Sequence, residues 1–593
     1  MTSPSVAIDP FAHLHNEQYL ARYESPLIGQ ESLILLGDRK RESLNGEWFF
    51  TLDMHDEGLR QQWYKDEPVT PKQWEKPRDY NANQGRTLSV PSSWSMQEPS
   101  WLFFEGGAWY TRYVQHVKNS QLPRTLLRIG AANYQTRIFI NGKFVGTHKG
   151  ASTPFCVDVS NFLTEGENRL QIQVDNRRSL QRVPMRHFDW FNHGGIYRDI
   201  DLIQLPQHYL KHASVHWEKI NEVGQLNVSV SLNEALNTTA KFSVPGLNLQ
   251  TEVKIINGEG RLTLQAEPQL WSPEAPHLYE VQFEFGGEVI REKIGFRHIQ
   301  VQGTQLLLNG KPLRLKGICV HEDDLHLGKV STPKDVRQRF RDAQEMGCNF
   351  LRLSHYPHHE HVAQIADEVG ILLWAEIPVY WAIDFDSANT LNDAKNQLCE
   401  LIKRDQNRAS IILWGVGNEN HDTDARLAFM QELAKTAKQL DPSRLVSAAC
   451  LINREQFRIE DRLTDSLDVI GVNEYFGWYE PGFDGLERLL KNSQPDKPVL
   501  ISETGADALA GHHGDMTELF TEECQAEILK TQVEMSFAAK YVCGIAPWLL
   551  YDFRSERRQT VFNQGFNRKG VIAEDKKTRK LGFYALAKSY LSA

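Results

Sequence analysis

Two glutamates stand where an apolar run stops. In "IILWGVGNEN" the strand-forming residues Ile411, Ile412, Leu413, Trp414 and Val416 lead into Asn418-Glu419, and in "KPVLISETG" a second apolar run ends on Glu503. One such carboxylate alone reads equally well as a helix cap or a loop ion pair. Two that face each other across a pocket have a reaction open to them. One protonates a departing oxygen while the other attacks, or activates water at, the anomeric carbon of a sugar. Other apolar runs also end in groups suited to a carbohydrate: His355, Glu376, Asn473 with Tyr475, and Trp548. An aromatic face covers the C–H side of a sugar ring, and nearby donors and acceptors meet its hydroxyls. With both reacting groups being protein carboxylates, no metal or organic cofactor is expected.

The densest histidine stretch, "SHYPHHEHV", raises a different chemistry. Imidazoles at this spacing can converge on a metal, but the run itself completes no ligand set and passes from a strand end into a helix start. The expectation is therefore that His355 faces the pocket as a hydrogen-bonding group, with His358, His359 and His361 on the surface and no metal bound.

The elements that must hold these residues follow from the rhythm of the chain. From residue 313 short apolar runs alternate with longer amphipathic segments: 313–320, 348–355, 371–378, 410–419, 444–450, 468–475, 497–503 and 542–552. This alternation predicts parallel β/α units closing into a (β/α)8 (TIM) barrel over 299–593, with chemistry at the C-terminal strand ends. Strands four and seven, which end on Glu419 and Glu503, are not neighbours, so their ends face each other across the barrel mouth. Helices are predicted from Pro333 to Met346, with Thr332 as N-cap, and from Glu518 to Ala539.

Before the barrel the period is two. Alternating runs and tight turns, such as Asn141-Gly142 in "TRIFINGKFVGTHKG", predict an all-β sandwich of the jelly-roll kind over 1–205. A second β-rich stretch, 206–298, has the spacing of an immunoglobulin-like sandwich.

Composition bounds the partners. The 593 residues, 41% hydrophobic and 24% charged, suffice for about three domains. The net charge of −10 is spread without long runs, which argues against nucleic acid or an anionic membrane surface. The N-terminal residues show no basic-then-apolar signal pattern, and no run reaches the roughly 18 apolar residues of a membrane span. Seven scattered cysteines without CxxC spacing predict free thiols in a reducing, cytoplasmic setting.

"LWGVGNEN" and "ISETG", with "GICVHEDD" and "LRLSHYP" before them, resemble glycoside hydrolase family 2. "GAWYTRYV", "FNHGGIYRDI", "LWSPEAPHLYEV" and "IGFRHI" extend the resemblance over nearly the whole chain. It implies a retaining, exo-acting β-glycosidase in which Glu419 is the acid/base, neutral before reaction, and Glu503 the ionised nucleophile. Asn418 is implied to bond the sugar 2-hydroxyl, Asp189 to reach in from the first domain, and Tyr475, Tyr479 and Trp548 to line the pocket. Homo-oligomer formation is implied by the resemblance alone.

Within the family "VNEYFGWY", "GADALAGHHGDMTELFTEE" and "FNRKG" look most like β-glucuronidases, where the Asn-x-Lys pattern, here Asn567 and Lys569, contacts the substrate carboxylate. Two positions depart from that pattern. Asn563 stands four residues before Asn567 where an Arg is expected, and Thr504 follows the nucleophile where a Tyr is usual. Arg554, Arg557 or Arg558 are the cations able to rebuild a carboxylate pocket. β-Galactosidase and β-galacturonidase are the alternatives within the family, and a non-catalytic carbohydrate-binding protein on the same scaffold is the alternative of a different class.

Overall fold

The structure, a computed structural model, describes residues 18–65 and 85–592. The first domain is a two-sheet β-sandwich. A seven-stranded sheet centred on Gly107–His116 and Gly166–Asp175 lies opposite a four-stranded sheet that contains Arg124–Ile129 and Ile200–Leu205. Trp48, Trp94, Tyr110, Ile138 and Ile172 fill the space between them. The Asn141-Gly142 hairpin joins strands Gln135–Ile140 and Lys143–Lys149, and both turn residues take positive φ, 51° and 75°. Asn and Gly tolerate that conformation best, which is why this pair sets the turn.

Seven antiparallel strands from Leu210–Ile220 to Glu288–Ile294 form the second domain. Burial alternates along Val223–Leu232, with Leu226, Val228 and Val230 turned inward onto Phe242 and Phe283. The middle of the sheet is pinched, since Leu249–Ile256 pairs with Glu259–Gln265 only through Ile255↔Gly260 and Ile256↔Glu259. The halves thus fold over one apolar core, as expected of an immunoglobulin-like sandwich.

Eight parallel strands close the barrel in chain order: β1 Leu315–Val320, β2 Phe350–Leu353, β3 Leu372–Glu376, β4 Ile411–Asn418, β5 Leu445–Cys450, β6 Val469–Asn473, β7 Val499–Glu503 and β8 Val542–Ile545. Continuous burial along β3, β4 and β7 explains their unbroken apolar runs, since helices cover the outside and packed side chains fill the inside. The helix α1, Pro333–Glu345, opens on a capping box between Thr332 and Asp335, and α2 covers Glu360–Val369. The predicted helix from Glu518 begins later, at Glu522, because Thr521 caps it by accepting the Cys524 N–H; it ends at Ala538. After β5 the return segment holds a short antiparallel pair, Ile452–Asn453 with Arg458–Ile459, and a 3₁₀ turn, Arg462–Ser466, so one unit lacks the α-helix that a regular (β/α)8 pattern assigns to it.

The first domain is seated against the barrel by two ion pairs and a histidine–carboxylate contact. Arg198 meets Glu322 at 3.0 Å, Arg128 meets Glu360 at 2.6 Å, and His148 lies 3.1 Å from Glu400. Removing one member of such a buried pair strands the other charge, at a typical cost of about 3–5 kcal/mol. All seven cysteines are free and buried. No described helix is long and apolar enough to cross a membrane.

Candidate active site

Strand β4 carries Asn418 to the barrel mouth, and the next residue leaves the strand sharply. Glu419 has φ of 52°, a left-handed conformation that costs a non-glycine residue of order 1 kcal/mol or more and that turns the chain sharply out of the strand. Its carboxylate is only partly covered. It accepts from Trp381 Nε1 at 2.8 Å and from Asn473 Nδ2 at 3.0 Å.

Glu503, at the end of β7, is 5% exposed. Its Oε1 accepts from Arg352 Nη1 at 2.8 Å, and its Oε2 accepts from the Tyr475 hydroxyl at 2.7 Å. Arg352 is fully buried on β2 and serves several groups at once. It donates to both oxygens of Glu376 at 3.1 Å and to Asn418 Oδ1 at 2.8 Å. Asn473 Nδ2 also reaches Asn418 Oδ1, at 3.1 Å. A continuous polar chain therefore runs Glu419–Asn473–Asn418–Arg352–Glu503. Asn418 is used in it only as an acceptor, and among the described residues its amide nitrogen has no protein acceptor.

Burial pushes the Glu503 carboxyl up to about 8; the Arg352 guanidinium opposes the rise, and the Glu419 and Glu376 charges add to it. Glu376 is raised as well, again chiefly by burial. Against the expected ionised Glu503, burial favours its neutral form in the free site. One guanidinium is shared between two buried carboxylates, so it cannot fully neutralise either.

His355, on the loop after β2, places Nδ1 2.8 Å from Glu376 Oε1 and Nε2 3.5 Å from Glu503 Oε1. Its ring stacks on Trp548 at 4.8 Å between centroids, and Trp190 of the first domain lies 5.8 Å away. Burial and Arg352 hold this imidazole well below its ordinary value, so it stands neutral against the carboxylates. Gly505 takes φ of 142° behind Glu503, where a Cβ would lie 2.6 Å from Trp548 O. The absent side chain is what lets Trp548 pack so close, its N–H bonded to Thr504 O at 2.7 Å. The other histidines differ from expectation. His358 and His359 are buried; His358 Nε2 bonds Ser354 O at 3.0 Å, and His359 caps α2 by accepting the His361 N–H, while His361 is half-buried.

The opposite rim is a second polar cluster. Asp189 arrives from the first domain and is held by Ser555 Oγ at 2.7 Å, by the Arg558 guanidinium, and at 3.4 Å by Asn567 Nδ2. Lys569 Nζ is paired with the buried carboxylate of Asp507 and donates to the Tyr479 hydroxyl at 3.0 Å. Arg558 Nη1 approaches the same hydroxyl at 3.3 Å. Tyr479 is 58% exposed and packs edge-on against Tyr475. Partial burial raises its phenol, but Lys569 and Arg558 outweigh this and hold it below its ordinary value. Asn563, at the departing position, directs its amide at Asp507 Oδ1, 3.3 Å away.

All ten residues expected in the site thus converge on the mouth of one barrel, with Glu419 and Glu503 in one network and Asn567, Lys569, Asp189 and Tyr479 in another. Profiles described as "Glycosyl hydrolases family 2, sugar binding domain", "Glycosyl hydrolases family 2" and "Glycosyl hydrolases family 2, TIM barrel domain" match residues 41–206, 208–297 and 299–590. The chain belongs to glycoside hydrolase family 2. This hydrolase is 28% identical over 601 residues to the β-glucuronidase of Paenibacillus borealis, an alignment covering 91% of this chain and 95% of that protein. Among solved structures it superposes on a β-glucuronidase of an uncultured Clostridium sp. with a TM-score of 0.82 and 27% identity, covering 94% of this chain and 99% of the other. It also superposes on the Ruminococcus gnavus β-glucuronidase in complex with D-glucuronic acid, with a TM-score of 0.82 and 25% identity, covering 95% and 100%.

Several site residues of the hydrolase escape sequence reasoning. Arg352 could have been noticed as a charge inside "FLRL", a strand otherwise wholly apolar. Asp507 follows Glu503 closely in "ETGAD", which was the available signal. Trp381 and Ser555 lie in loops with no readable pattern.

Proposed function

We propose that this family 2 hydrolase is a retaining, exo-acting β-glucuronidase that releases D-glucuronic acid from non-reducing ends by double displacement. Glu503 attacks the anomeric carbon while Glu419 protonates the leaving oxygen. Glu419 then removes a proton from the water that hydrolyses the glycosyl-enzyme. Asn418 presents its unused amide N–H groups to the 2-hydroxyl, a bond that strengthens as charge develops on the ring. The ionised nucleophile is the reactive form, and burial raises Glu503, so that ionised form is the minor one in the free site below about pH 8.

The observation that carries the uronide reading is the joint presence of Lys569, Arg558 and Tyr479 on one rim, with Asn567 beside them. Arg558 supplies the guanidinium that Asn563 does not, and a carboxylate meeting it and Lys569 gains charge-assisted hydrogen bonds. The names of the relatives favour the same reading. A neutral β-galactoside is the second reading, because each cation already has a carboxylate partner, Asp507 for Lys569 and Asp189 for Arg558. The seven buried free thiols suit a reducing, cytoplasmic setting.

Matched aryl β-glucuronide and β-glucoside substrates test the proposal. Lys569→Ala and Arg558→Ala are each expected to lower kcat/KM for the glucuronide by about tenfold or more beyond any loss on the glucoside, the scale of one charge-assisted bond. Equal losses on both substrates, or a wild type faster on the galactoside, would remove the carboxylate clamp.

A further inference from the structure

The histidine run completes a ligand set only when the first domain is docked. Asp199, on the connection between Asp189 and the strand Ile200–Leu205, comes to lie beside His359 and His361 at the start of α2. Ligand-capable atoms of the three side chains lie within 4.8 Å of one another. We propose that Asp199, His359 and His361 form a divalent transition-metal site, of the kind suited to Zn²⁺, that clamps the β-sandwich onto the barrel away from the catalytic centre. Two imidazoles and one carboxylate are a recurrent zinc donor set, and three protein ligands leave a fourth position for water.

The charges around it single out Asp199. Three guanidiniums line the same crevice, and each has its own carboxylate: Arg128 with Glu360 at 2.6 Å, Arg198 with Glu322 at 3.0 Å, and Arg404 with Asp405 at 2.5 Å. Asp199 makes no ion pair among the described residues. Its side chain accepts the Asn45 Nδ2 bond at Oδ1, 2.8 Å long, which fixes the carboxylate and leaves Oδ2 for a cation. His359 and His361 stack with ring centroids 4.1 Å apart and His359 Nδ1 accepts the His361 N–H, so taking up an ion turns the rings out of the stack and exchanges that cap bond for the metal; His361 Nδ1 is turned toward Gln364 Oε1, 3.4 Å away. That outer contact orients the ring in the way second-shell groups orient metal-bound imidazoles. His359 is buried, whereas Asp199 and His361 are half-buried, so an ion has a way in from solvent.

The clamp has a catalytic bearing without touching substrate. It ties down the connection that presents Asp189 to the barrel mouth, so it would stabilise the docked arrangement of the two domains. The test uses the tag-free full-length protein after chelator treatment. Equilibrium dialysis against Zn²⁺, and the visible absorption of Co²⁺, are expected to show one equivalent bound, together with a rise in the thermal midpoint on adding Zn²⁺. Asp199→Asn keeps the Asn45 bond, and His361→Ala alters a half-buried side chain, so both are expected to fold as wild type. Each is expected to lose at least about tenfold in affinity, and with it the thermal response. Absence of stoichiometric uptake by the wild type, or uptake unchanged in either variant, would overturn the site.

Discussion

Tyr475→Phe isolates one bond at Glu503, the proposed nucleophile. The Tyr475 hydroxyl donates to Glu503 Oε2 at 2.7 Å, and the ring, which keeps its edge contact with Tyr479 at 5.3 Å, is otherwise unchanged by the substitution. A hydrogen bond to a charged acceptor contributes about 1.5–3 kcal/mol, or about one to two pKa units at roughly 1.4 kcal/mol each. The donor stabilises the ionised carboxylate, so losing it raises Glu503 further above its present value of about 8. The reactive microstate then becomes rarer by about 10- to 100-fold at every pH below the wild-type value, and the deficit disappears as alkali removes the proton in both proteins. The assay is kcat/KM for an aryl β-glucuronide measured across the pH range. The ratio of variant to wild type is expected to be near 0.01–0.1 at about pH 6 and to climb steadily above about pH 8. A deficit of the same size at both ends of the range would mean that Tyr475 acts on substrate rather than on the nucleophile's charge, and the argument would fail.

Two further outcomes follow from the same pair of carboxylates. Glu503→Gln abolishes turnover but removes a buried acid whose folded-state value, about 8, exceeds its unfolded value near 4.5. The stability that the protonated form provides is present below the unfolded value and is lost as pH rises through the folded one. The gain in thermal midpoint of the variant over wild type is therefore expected to widen between about pH 5 and pH 8, with a ceiling of about 5 kcal/mol. A constant or shrinking gap by differential scanning fluorimetry would contradict it. Glu419→Ala is expected to slow hydrolysis of glycosides with poor leaving groups by about 10²–10⁴-fold. An activated aryl glycoside should instead still glycosylate Glu503, giving a product burst and a covalent adduct visible by intact-protein mass spectrometry; uniform loss without an adduct would deny Glu419 its acid role.

The barrel and its reactive ends were legible because periodicity is a local property. Burial on both faces writes β4 as one apolar run, and the residue that leaves the run, Glu419, is marked by its charge. The same logic exposed Glu503, Glu376 and Asn473. What stayed hidden were the partners. Arg352 and Glu503 are 151 positions apart, and Arg558 and Asp189 are separated by 369, so nothing in either neighbourhood announces the bond. The upward shift of Glu503 was hidden for the same reason, since it comes first from burial and then from Arg352 being divided between two carboxylates. His359 looked like surface because its burial comes from the first domain docking against α2, which no local pattern encodes.

The Asp189 contacts with Ser555, Arg558 and Asn567 also bear on how such a chain can change over generations. A sandwich and a barrel that each fold well would still make a poor enzyme if brought together by recombination from ancestors in which this acidic tip and its basic receptor had drifted separately. On the proposed reading the heritable unit of sugar selectivity is the seam, and the two segments that form it, far apart in the gene, must be inherited together or altered in step.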